Sequence, residues 1–161
     1  AGVTERGEVF HTTDLRTWWY IPGRLAQIAS GNLNDDGRDD LVGVTSDGFI
    51  FYTTNLRNWT YIPGRLAQIT AGDLNNDGFD DLVGTTGEGY IFYTTNLRNW
   101  IYVPGRLAQV ASGNLGGSEQ DDLVGVTKIG DIFFDIGVAP LSGGRRCRPI
   151  HRGQPDADVL Q

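Results

Sequence analysis

No methionine occurs among the 161 residues, so the chain is expected to be a processed product or a piece of something longer. The single cysteine, Cys147, excludes a disulfide framework and any cysteine-based zinc site. Lysine is almost missing: twelve of the thirteen basic residues are arginine, with Lys128 the exception. No apolar run reaches the ~18 residues of a membrane-spanning helix, so membrane insertion is not expected. No N-terminal stretch joins a basic start to a greasy middle and a small-residue cleavage site, so any secretion signal is removed or lies elsewhere. Positive charge is scarce overall, and a net charge of -7 leaves no basic stripe for a phosphate backbone. A nucleic-acid partner is therefore excluded.

What the chain does have is apolar content, glycine and aspartate. With 39% hydrophobic and 11% aromatic residues it can bury a real core, which rules out simple disorder. Its 23 glycines are about twice the usual share and point to tight turns rather than helix. Sixteen of the twenty acids are Asp, and ten of those lie in three short segments, residues 35–40, 73–81 and 121–122. Clustering of that kind asks for a cation.

A shift of 41 residues aligns Gly7 with Gly48, Gly89 and Gly130, and the hexapeptide beginning at Pro22 with those at Pro63 and Pro104. The copies starting at Gly48 and Gly89 share 26 of 41 positions. A period of this size signals a repeat architecture. Each unit reads as four short strands. In the best-defined one, Ala67–Ala71 precedes a polar loop, then come Asp81–Thr86, a Gly turn, Tyr90–Thr95, a second turn and Trp100–Val103. β-Branched and aromatic runs broken by Gly and Pro every 8 to 12 residues are an all-β pattern. Four antiparallel strands in ~41 residues is the size of a β-propeller blade, with a β-solenoid the runner-up. Counting from the N-terminus predicts two, four, four and three strands, just over three blades. A closed ring then needs more chain or self-association, because open blade faces expose apolar surface. The repeats are expected to span residues 1–136, and 137–161 to form a non-repeat linker or disordered tail.

The second acidic loop, Asp73 to Asp81, spaces oxygen donors at positions 1, 3, 5 and 9 around Gly78 at 6. Calcium takes six to eight oxygens, and a glycine permits the bend that turns a backbone carbonyl inward. Asp73, Asn75, Asp77 and Asp81 with the Phe79 carbonyl are thus one candidate calcium site. Asn32, Asn34, Asp36 and Asp40 with the Arg38 carbonyl are a second, expected to be weaker because two carboxylates replace three. The loop at 114–122 (Asn114, Gly116, Ser118, Gln120, Asp122) lacks the donor at position 3 and the glycine at 6, so no site is predicted there. Asp121, Asp122 and Leu123 would be kept for folding. All three loops also read as Asp/Asn turns closed by side-chain-to-backbone bonds.

The segment Gly72-Asp73-Leu74-Asn75-Asn76-Asp77-Gly78-Phe79-Asp80-Asp81-Leu82-Val83-Gly84 resembles the FG-GAP/VCBS repeat of integrin-α-type propellers. That resemblance implies calcium in blade hairpin loops, a secreted, extracellular or cell-surface location, and roles in adhesion, as a lectin or beside secreted enzymes.

Thr53-Thr54-Asn55-Leu56-Arg57-Asn58-Trp59 recurs at Thr94–Trp100 and, modified, at Thr12–Trp18. Aromatic faces stack on sugar rings while Arg and Asn donate to hydroxyls. This makes Trp19, Trp59, Trp100, Arg65, Arg106, Asn58 and Asn99 candidate ligand contacts. In the competing reading, which the pattern favours, Trp18, Trp59 and Trp100 pack between blades and Arg24, Arg65 and Arg106 tie adjacent strands. Trp19 stands where the other copies have Thr60 and Ile101, so it is the candidate for a specific contact. Catalysis is not expected. His11 fills a slot held by Tyr52 and Tyr93, and no nucleophile elbow, metalloprotease helix motif or phosphate loop is present. The residues point to a calcium-stabilised module that binds glycans or glycoproteins. The alternatives are a non-catalytic appendage of a larger secreted enzyme or toxin, or an integrin-type platform for protein adhesion.

Overall fold

The computed structural model describes residues 1–117, 119–135 and 148–149. Fifteen strands make up its regular structure, and no helix occurs among the described residues. The first sheet holds β1 (Gly2–Val3), β2 (Glu8–His11) and β3 (Trp19–Arg24). The second runs through β4 (Gln27–Gly31), β5 (Asp40–Val44), β6 (Phe49–Thr53) and β7 (Thr60–Arg65). The third repeats it as β8 (Gln68–Gly72), β9 (Asp81–Thr85), β10 (Tyr90–Thr94) and β11 (Ile101–Arg106). The fourth comprises β12 (Gln109–Gly113), β13 (Asp122–Val126), β14 (Ile132–Asp135) and β15 (Arg148–Pro149). Every sheet is an antiparallel meander in chain order. The architecture is an incomplete propeller, as the all-β reading expected.

The strand count differs from the sequence expectation at both ends. The first sheet has three strands rather than two because Gly2–Val3 pairs with Val9 and Phe10. The fourth has four rather than three because Phe133 and Phe134 pair with Pro149 and Arg148, inside the stretch expected to be a non-repeat tail. Two-residue strands carry no readable periodicity, which is why the sequence pattern passes over them. The rest of that expected tail lies outside the described residues.

Local chemistry explains the meander. Gly48 ends a four-residue turn with φ 84°, its N–H reaching Thr45 O at 2.9 Å, and Gly7, Gly89 and Gly130 repeat that positive φ. The left-handed conformation is why glycine marks each 41-residue copy. β5 and β9 are buried along their full length, so they read as near-continuous apolar runs. Gly43 is required there for space: a Cβ would sit 2.6 Å from Gln27 O and Leu25 Cδ1. Pro63 and Gly64 fall in the outermost strand β7, where a bulge opposes Phe49/Ile50 and a missing N–H costs the ladder nothing.

The apolar core lies between sheets rather than at one centre. Val9, Ile21 and Leu25 of the first sheet meet Leu41 of the second, and Leu56 and Trp59 pack on them. Ile50, Ile62 and Leu66 meet Ile69 and Leu82 of the third sheet in the same way, with Leu97 and Trp100 added. Leu74, Val83, Ile91 and Leu107 then meet Leu123 and Phe133 of the fourth. The first strands β4, β8 and β12 lie side by side. They are joined by the Gln27 side chain, which bonds Ile69 O at 2.8 Å and Ile69 N at 2.7 Å, and by Thr70 Oγ1 to Ser112 Oγ at 2.8 Å.

Candidate functional site

The adjacent aspartates after the second and third acidic loops divide their work. Asp40 and Asp81 are buried and turn back under their own loops, accepting from Leu33 N at 3.1 Å and Leu74 N at 3.2 Å. Asp122 does the same for Leu115 N and Gly116 N. Asp80 and Asp121 reach the other way. Asp80 Oδ2 accepts Asn32 N at 2.6 Å, and the Asp80 N–H donates to Asn32 O at 2.9 Å. Asp121 repeats both bonds on Asp73, at 3.2 and 2.8 Å. Gly31 and Gly72 make room, since a Cβ at either would lie 2.6 Å from the incoming carboxylate. Asp80/Asp81 and Asp121/Asp122 thus each close one loop and staple it to the preceding sheet. That accounts for Asp121 and Asp122 surviving in a loop with degenerate donors.

Burial pushes the Asp81 carboxyl up to about 7, helped by the charges of Asp77, Asp73 and Asp80 and opposed by the Leu74 bond. Asp40 and Asp80 are raised by the same cause.

In the second loop the remaining oxygens hold backbone amides. Asp73 accepts from Asp77 N at 3.2 Å and Gly78 N at 3.0 Å, Asn75 from Asp77 N at 2.9 Å, and Asp77 from Phe79 N at 2.9 Å. Phe79 is itself half-exposed. In the first loop Asn34 and Asp36 likewise accept from Asp36 N and Arg38 N. Among the described residues no three acidic, histidine or cysteine side chains converge as a metal-binding group. One observation fits a cation: Asn32 Oδ1, at the first donor position of the first loop, is buried with no hydrogen-bond partner. In the third loop Asn114 Oδ1 accepts from Gly117 N at 2.7 Å, and Ser118 lies outside the described residues.

The sequence's sugar-contact candidates fall into two groups. Trp59 and Trp100 pack between sheets, their indole N–H groups donating to Pro22 O at 2.5 Å and Pro63 O at 2.6 Å. Their rings lie on Gly23 and Gly64, where a Cβ would come within 2.9 Å. The packing role weighed against ligand contact therefore holds for both. Trp18, at the matching position of the first sheet, is 50% exposed. Arg65 stacks on Phe49 at 4.2 Å and bonds Asp47 O, while Arg106 stacks on Tyr90 at 4.3 Å and bonds its hydroxyl. Both tie strands of one sheet together and still present a guanidinium at the surface. Trp19 is exposed and lies against His11, ring centroids 5.4 Å apart.

Asn58 and Asn99 are exposed. The asparagines that matter for the fold are Asn55 and Asn96. Asn55 Oδ1 accepts from Arg57 N and Asn58 N, holding a turn in which Leu56 has φ 57°. That geometry, rather than ligand chemistry, explains much of the repeated Thr-Thr-Asn-Leu-Arg-Asn-Trp.

Sequence reasoning missed the tyrosines. Tyr20, Tyr61 and Tyr102 are about half exposed on the outermost strands, beside Phe10, Phe51 and Phe92 at 5.5–5.6 Å. Their recurrence in three copies was the available signal. Alternation along the strand hid it, because an edge strand exposes both faces. Next to this strip a cleft of about 180 Å³ opens between the first and second sheets, lined by Gly23, Arg24, Leu25, Thr45, Phe51 and Trp59.

The Tectonin domain model matches residues 32–145, more than two thirds of the chain. No curated protein matches the sequence. The match corrects the FG-GAP/VCBS resemblance, for which Gly72–Gly84 is the representative segment. Much of what makes that segment look like a calcium repeat is spent on stapling and loop closure, so it is weak evidence of family.

Proposed function

The chain belongs to the Tectonin domain family, a family of lectin-like β-propellers, and from that premise we propose that it binds carbohydrate, free or on glycoproteins, at the clefts between successive sheets. The observation that supports this most is the threefold strip of exposed Tyr beside Phe, with Arg65 and Arg106 stacked alongside in two of the copies. Aromatic faces take the apolar side of a pyranose, and guanidinium N–H groups donate to its hydroxyls. In the cleft beside Trp59, the Phe51 ring and the Arg24 side chain supply that combination from neighbouring sheets. Single sites of this shallow kind bind weakly, and repetition raises avidity on a multivalent surface. Such a module has no catalytic role and acts outside the cell or on its surface.

A glycan array probed with the intact protein tests the proposal. Binding to one coherent sugar class is expected, with Tyr61→Ala and Tyr102→Ala each weakening it about five- to tenfold. Their exposure leaves the fold intact. A blank array, or binding indifferent to both substitutions, contradicts the proposal.

Calcium in the first two loops is a second proposal, favoured by the orphaned Asn32 Oδ1. Asn32, Asn34, Asp36, Asp40 and the Arg38 carbonyl would hold the ion in the first loop. In the second, Asp73, Asn75, Asp77, Asp81 and the Phe79 carbonyl would do so. The ion would be structural, adding stability because it binds the folded loop. Chelation is then expected to lower the melting temperature, and metal analysis of the purified protein to find calcium. An unchanged melt with no calcium present rejects it.

A further inference from the structure

We propose that two copies of this chain join head to tail, Leu15 and Trp18 on the first sheet of one copy packing against Ile132 on the fourth sheet of the other. The first two internal junctions are built alike. Leu56 and Trp59 of the second sheet cover the cluster containing Val9, and Leu97 and Trp100 of the third cover the one containing Ile50. Forty-one residues before Leu56 and Trp59 stand Leu15 and Trp18, which are 83% and 50% exposed. Val9, Ile50 and Ile91 are 0%, 0% and 2% exposed, whereas Ile132, the next position in that series, is 43% exposed. One end of the array therefore presents the covering half of the junction, and the other presents an uncovered receiving position.

The cavities agree. Between the first and second sheets, Thr45, Phe51 and Trp59 form one wall and Gly23, Arg24 and Leu25 the other. On the outer face of the first sheet the equivalent Thr4, Phe10 and Trp18 line a cavity of about 380 Å³, completed only by Gly2 and Val3 of their own sheet. It is the inter-sheet cleft with its second wall missing. A second copy supplies the partner because the interface would continue one already present inside the molecule. The four sheets of the described residues make eight in two copies, within the range of closed propellers. Head-to-tail contacts that close a ring leave no apolar face open.

Sedimentation velocity of the intact chain, with Trp18→Asp, Ile132→Asp and their equimolar mixture, tests this. Wild type is expected at twice the mass of one chain at micromolar concentration. Each substitution is expected to weaken the dimer roughly thirty-fold or more. Both positions are exposed, and an unchanged far-ultraviolet circular dichroism spectrum verifies folding. The mixture should recover dimer, because each variant keeps the half-interface that the other has lost. A monomeric wild type, variants that still dimerise, or a mixture that stays monomeric would each overturn the proposal.

Discussion

The two aspartates that follow the second and third loops are neighbours with opposite duties, and substitution should separate them. Asp80→Ala leaves the Asn32 amide without its acceptor and should cost about 1–3 kcal/mol in chemical unfolding. Phe79, one residue earlier, is on the surface, and Phe79→Ala should be nearly silent by the same measurement. Asp81 behaves differently with pH. Its folded-state carboxyl titrates near 7, against 3.8 for the unfolded chain, so folding favours the protonated form. The stability it contributes is complete below about pH 4 and is lost as pH rises through 7. In chelator-containing buffer Asp81→Asn should therefore raise the melting temperature at pH 8, with the gain shrinking towards pH 5. With calcium added, the calcium proposal requires the opposite sign at pH 8. A melt insensitive to pH in both proteins would show that the carboxyl is not held as described.

Among the elements, the outermost strands and the turns before them carry the junctions. Trp59→Phe keeps the ring but removes the indole donor to Pro22 O, and about 1 kcal/mol of stability should go with it. Trp18→Phe should change nothing in the single chain, since Trp18 makes no equivalent contact among the described residues. Urea unfolding of the two variants checks both. At this scale the sequence was most legible: the 41-residue period, the glycine-marked turns and the buried Leu-Val-Gly strands follow from local chemistry. Less legible was the use of side chains across a junction. Asp80 and Asp121 look like loop residues in a linear reading, yet their partners lie 48 residues away. Tyr61 looks half-buried by alternation, yet it sits on an edge where both faces meet solvent. The two-residue strands β1 and β15 carry too little pattern to be seen at all.

For the molecule as a whole, stability is spread over three successive junctions, which suits a scaffold whose surface repeats. The proposed ligand surface repeats with it: Tyr20, Tyr61 and Tyr102 fall at one position of each outer strand, and the cleft beside Trp59 lies at a sheet boundary. The central claim is that sugar enters these boundaries, and the indole N–H groups of Trp18, Trp19, Trp59 and Trp100 are built-in reporters of it. The most direct measurement is a nitrogen–proton correlation spectrum of the labelled protein during titration with the sugar class that binds best. The Trp59 indole signal should shift in step with saturation, because its ring borders the cleft while its N–H stays on Pro22 O. Saturable binding that leaves that signal where it began would contradict the account and place the ligand elsewhere on the molecule.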